Sequence, residues 1–325
     1  MSHPILYMLY NNQKVSFIYL KPAITLLIWL SLLPIAGAEY IQESWERLLV
    51  VFAAMVLIPI GVPLLGIKWR SWYWLMVAAF CLSFLIDTPG TGFSDLLALP
   101  YLILSASLAI TAAVDMMGFS RFNLLELVRV FALGYWATGA FWALCSLAGF
   151  QPWDFDPVIV TLTAAHFHVA GFVFATAGYK LLQFNNNRST RLLGLGLIAG
   201  MPLVAFGITA SKLGMPSWIE SCSGLFFVML ALLLGYLHVK MAFHQQINSI
   251  SRWCWGISSI CLFAGMCMAA MYALRFYYPM PFFQIPNMKI WHGSINAIGF
   301  GWLVLIGWNA QTRIPALQSP RHLPV

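Results

Sequence analysis

Charge is what this sequence lacks most. Only 8% of its 325 residues are Asp, Glu, Lys or Arg, against 61% hydrophobic residues. Soluble domains carry about 25% charged residues, and the mean hydropathy of +0.81 excludes that class. Short alternating apolar segments of about ten residues are also missing, which argues against a β-barrel. The six cysteines, Cys81, Cys145, Cys222, Cys254, Cys261 and Cys267, form no CxxC pair and sit in apolar runs, so they are expected to pack as small apolar residues. Residues 1–20 mix polar and aromatic types and show no A-x-A-like cleavage site, which argues against a cleavable signal. No internal repeat is visible, so the inverted-repeat signature of many transporters is absent.

What is present is a series of long apolar runs. A bilayer core needs about 20 apolar residues per helix, and its backbone must satisfy itself. The sequence therefore predicts an all-α, polytopic transmembrane bundle of nine to ten spans. The runs lie at 23–39, 47–67, 72–87, 94–115, 124–149, 158–183, 191–211, 218–242, 251–274 and 290–311, the third being short. Residues 1–22 read as an N-terminal segment, 23–311 as one helical domain and 312–325 as a tail.

The cations orient these spans. With the N-terminus cytoplasmic, the inner segments carry twelve of the 17 Lys and Arg residues, among them Lys68, Arg70, Lys180, Arg188, Arg191 and Arg252. The outer segments carry Arg47, Lys212, Arg275 and Lys289, and Arg129 falls inside a helix. By the positive-inside rule both termini face the cytoplasm. The +7 net charge then anchors the chain to an anionic leaflet and gives no reason to invoke nucleic acid.

Polar residues inside the runs are few. His166 and His168 sit in AAHFHVAGF, with His166 about 13 Å below the outer end of its helix at 1.5 Å per residue. His292 lies in the first turns of the last span, with Asn296 at i+4 on the same face. Glu220 begins the eighth span; Thr209, Ser211 and Asp87 lie in the same outer band. Ionisable groups at this depth usually face a bundle interior or wet cavity. On a helix, i and i+2 point about 200° apart. One histidine should therefore face His292 and Asn296 while the other packs against another helix. Elsewhere, Glu126 and Arg129 are spaced for an ion pair, with Asp115 a further partner. His238 and His244 read as boundary residues, and Trp45 as an interfacial anchor.

AHFHV resembles the AHFHY helix of haem–copper oxidase core subunits. The further histidines of those enzymes, including an adjacent pair, are missing here. A longer resemblance, through PVIVTLTAAHFHVAGFVFATAG (157–178), GMPLVAFGITASKLGMPSWIE (200–220) and IPNMKIWHGSINAIGFGW (285–302), is to the YndJ-like family of bacterial membrane proteins. The resemblance implies a polytopic inner-membrane protein and marks His166, His168, Glu220, His292 and Asn296 as its functional core.

Three functions fit those residues. The first is an intramembrane enzyme performing acid–base chemistry (isomerisation, cyclisation or epoxide opening) on a small lipophilic substrate, with no cofactor. The second is a proton-coupled transporter, for which intramembrane His and Glu are the usual groups. The third is a His-ligated metal or haem protein, with His166, His292 and Glu220 as the ligand set of any metal.

Overall fold

The computed structural model describes residues 4–86, 92–118 and 123–311, with side chains from residue 23 onward. Asp87, Arg121 and the tail 312–325 lie outside the described residues. The described chain is helical throughout, with no strand. We number the helices α1 Pro4–Glu43, α2 Trp45–Leu64, α3 Tyr73–Leu85, α4 Phe93–Met117, α5 Leu124–Leu147, α6 Pro157–Phe184, α7 Arg188–Lys212, α8 Trp218–Ala242, α9 Ser249–Ala273 and α10 Ile285–Gln311.

Their positions follow the ten apolar runs closely, because an unbroken apolar run leaves its backbone no partner but itself. Eight of these helices are long and apolar enough to cross a membrane. A ninth span is available if α1, broken at Gly37 where φ reaches +81°, counts as one. The expected third span is corrected: α3 has 13 residues, about 20 Å at 1.5 Å per residue, too short to cross on its own.

Local signals set the helix ends differently at the two ends of the bundle. At one end α5, α7 and α9 start on Asn123, Asn187 and Asn248, whose side chains accept the backbone N–H of Leu125, Thr190 and Ser251. At the other end α6 and α10 start with Pro157 and Pro286 in the first turn, where no intrahelical N–H is needed. Gly149 and Gly214 close α5 and α7 there in the left-handed conformation. The next residue in each case bonds back five positions, Phe150 to Cys145 and Met215 to Ala210. We call this second end the Glu220 end and the first the Glu126 end.

Large apolar side chains such as Leu75, Ile103 and Met229 cover the outer surface, as lipid contact requires. Helices α2 and α6 are the most buried. In lipid their packing gains dispersion rather than dehydration, so small residues that let helices approach decide the contacts. A Cβ on Gly61 would lie 2.5 Å from the Phe172 ring, so α2 and α6 can meet only at a glycine.

Three helices depart from α geometry. Residues Ala53–Leu57 of α2, Phe167–Val173 of α6 and Ile295–Trp302 of α10 are π-helical. The three stretches pack on one another at the centre of the bundle. A π turn carries one extra residue and so rotates the following helix by about 100° relative to regular α geometry.

Candidate functional site

The candidate site lies where α6 and α10 enter their π-helical stretches. His166 is the last α-helical residue before the first stretch, and His292 stands three residues before the second. Their rings face each other with centroids 6.4 Å apart and planes inclined by 28°. His166 is exposed and His292 half-buried.

Backbone carbonyls fix the protonation of both rings, since a carbonyl can only accept. The Nδ1–H of His166 donates to Leu162 O at 2.7 Å, and that of His292 to Gly265 O on α9 at 2.9 Å. Each ring therefore keeps its in-plane lone pair on Nε2. The Asn296 amide donates from Nδ2 to His292 O at 2.9 Å. That nitrogen is 3.1 Å from Nδ1 and 3.3 Å from Nε2 of His292, so it lies over the ring and leaves the lone pair open. The Asn296 Oδ1 is buried with no hydrogen-bond partner. The two imidazole lone pairs make a site of acceptors, and such a site selects a ligand that donates protons or is itself electron-poor.

His168 points the opposite way, as the i,i+2 spacing requires. It is fully buried, donates from Nδ1 to Ala164 O at 2.8 Å and accepts the Tyr101 hydroxyl at Nε2 over 3.1 Å. Both nitrogens are committed, so its place is structural, beneath the site. His238 differs from the boundary residue expected of it. It too is fully buried, donating to Leu234 O and accepting Trp308 Nε1–H at 3.0 Å. Trp45 likewise is buried, with its indole N–H donating to Ser294 Oγ at 2.9 Å.

Glu220 is not brought to the histidines. Its carboxylate pairs with Arg275 at 2.5 Å, beyond the end of α9. Among the described residues no hydrogen bond or ion pair links it to His166 or His292. Nor does any group of three His, Cys, Asp or Glu side chains lie close enough to hold one metal ion, so the His166–His292–Glu220 ligand set is not assembled. The Glu126–Arg129 pair forms at 2.7 Å, with Asp115 3.9 Å from Arg129. The cysteines are free as expected, though Cys222 and Cys267 face outward.

Sequence reasoning missed three supporting residues: Tyr101 behind His168, Gly265 behind His292 and Arg275 behind Glu220. Tyr101 is a polar group in mid-span and Arg275 one of few cations on its side, so both left a signal. Gly265 acts through its carbonyl and left none.

A profile of the YndJ-like protein family matches residues 48–300, most of the chain and all of the site. The chain belongs to the YndJ-like family. It is 27% identical over 246 residues to the uncharacterized membrane protein YndJ of Bacillus subtilis (strain 168). That match takes in 74% of this chain and 42% of the B. subtilis protein, so the chain spans about two fifths of its relative's length. No solved structure matches the chain. This YndJ-like chain is thus a polytopic membrane protein, with His166, His292 and Asn296 gathered at one site.

Proposed function

We propose that this YndJ-like protein is an intramembrane acid–base enzyme acting on a small lipophilic substrate that offers a proton to the His166–His292 site. The observation that carries the reading is the pair of open Nε2 lone pairs, each held in place by a backbone carbonyl behind the ring. One Nε2 takes a proton from a substrate atom, and the resulting imidazolium returns it at another atom. The exchange balances without a redox partner. Asn296 supports the pair from behind, its Nδ2 donating to His292 O. Isomerisation, cyclisation and epoxide opening all suit this set. Glu220 has no part in the step, being neutralised by Arg275.

The cation distribution supports an inner-membrane setting with both termini cytoplasmic, which puts the site in the outer half of the bilayer. The test compares lipid extracts of cells expressing wild type, His166→Gln, His292→Gln and Cys267→Ser. Chromatography with mass spectrometry resolves isomers by retention time. A species present with wild type and Cys267→Ser, and absent with both histidine variants, is the expected result. Identical profiles for wild type and both histidine variants refute the reading.

A further inference from the structure

A polar cavity opens at the Glu126 end, about 21 Å along α6 from His166 at 1.5 Å per residue. Its volume is about 330 Å³, and it is lined by Pro63, Leu64, Gly66, Tyr179, Lys180, Gln183 and Asn309. Lys180 is the unusual member. It is 8% exposed, and among the described residues no carboxylate pairs with it. Its ammonium donates to the neutral Gln183 Oε1 and stands 5.7 Å from the centroid of the Trp308 ring. The carboxylate of Glu126, at the same end of the bundle, is committed to Arg129.

A buried ammonium that meets, among the described residues, a neutral amide and a π face is poorly compensated. Two of its three hydrogens remain for a ligand. The adjacent Tyr179 hydroxyl has no hydrogen bond among the described residues, and it adds a further donor. Lys68 and Arg70 follow the lining residue Gly66 in the chain, and both are exposed. The wall thus offers donors and positive charge, the converse of the acceptor site around His166.

We infer that this cavity binds a phosphate group, with Lys180 as its central contact and Lys68 and Arg70 drawing it to the mouth. A phosphate suits the cavity better than a single carboxylate because its several oxygens can engage the remaining Lys180 hydrogens and the Tyr179 hydroxyl together. Its source is either a phospholipid headgroup or a soluble phosphate.

The experiment uses the full chain in an uncharged maltoside detergent. Binding of inorganic phosphate and, separately, of a short-chain phosphatidylglycerol is followed by native mass spectrometry and by the rise in melting temperature. Wild type is compared with Lys180→Met, which keeps the stem and removes the charge, and with Lys68→Gln at an exposed position. Binding by wild type that weakens about 10- to 100-fold in Lys180→Met, the usual cost of a charge-assisted hydrogen bond, supports the site. Saturation by inorganic phosphate identifies a soluble ligand; saturation by phosphatidylglycerol alone identifies a headgroup. Should Lys180→Met fail to fold, a several-fold weakening in Lys68→Gln carries the same conclusion, and unchanged binding in Lys68→Gln overturns it. No binding of either probe by wild type, or equal binding by Lys180→Met, also overturns it.

Discussion

His166 and His168, two residues apart, should respond to the same substitution by very different amounts. His168→Ala removes a fully buried ring from between Tyr101 and Gly139. Emptying a buried site of that size costs about 2–5 kcal/mol. The Tyr101 hydroxyl, itself fully buried, then loses its acceptor, which adds about 1–3 kcal/mol. The total, about 3–8 kcal/mol and centred near 5, corresponds to a melting temperature lower by roughly 10 °C, taking about 2 °C per kcal/mol for a chain of this size. His166 is exposed, and its replacement by Ala should cost no more than about 0.5 kcal/mol, a shift of roughly 1 °C. The assay is the fraction of detergent-solubilised protein still monodisperse by size exclusion after heating. Tyr101→Phe, which keeps the ring and removes the donor, should lower stability by about 1 kcal/mol. It should add little to His168→Ala, since the two remove the same interaction. Equal losses from His166→Ala and His168→Ala, or full additivity of Tyr101→Phe with His168→Ala, would refute the assignment of His168 to structure and His166 to the site.

Other substitutions separate the site from its support. A Cβ on Gly139 would come within 2.5 Å of His168 Nδ1, whereas one on Gly134 in the same helix meets nothing within 4 Å. Gly139→Ala should therefore cost about 1–3 kcal/mol and Gly134→Ala nothing measurable or a slight gain, read as melting temperatures. Gly265→Ala would place a methyl 2.6 Å from both amide atoms of Asn296, displacing the anchor of His292. It should abolish the histidine-dependent lipid product, while Gly256→Ala, in open space on the same helix, should retain it. Arg275→Ala leaves the Glu220 carboxylate buried without its partner and should cost about 3 kcal/mol. The double variant Glu220→Gln/Arg275→Met should restore most of that stability and keep the lipid product, placing Glu220 outside the chemistry.

Apolar run length and the scarcity of charge determined, by themselves, that the chain is a bundle of membrane-crossing helices, because a backbone in lipid must bond within its own segment. The i,i+2 spacing determined that His166 and His168 face opposite ways, and the i,i+4 spacing placed Asn296 beside His292. Residue type alone singled out the histidines, since an ionisable ring in a span is costly wherever it sits. The partners were another matter. Glu220 shares a depth band with the histidines, yet depth in the bilayer leaves its position around the bundle open, and Arg275 claimed it. His238 looked like a boundary residue until Trp308 was found donating to it across 70 positions of chain. The three π-helical stretches depend on how α2, α6 and α10 cross, through close approaches such as Phe172 on Gly61. Which nitrogen of each histidine stays open was decided last of all, by carbonyls such as that of Gly265. Periodicity along one helix records its own faces; only the packing of several helices records what those faces meet.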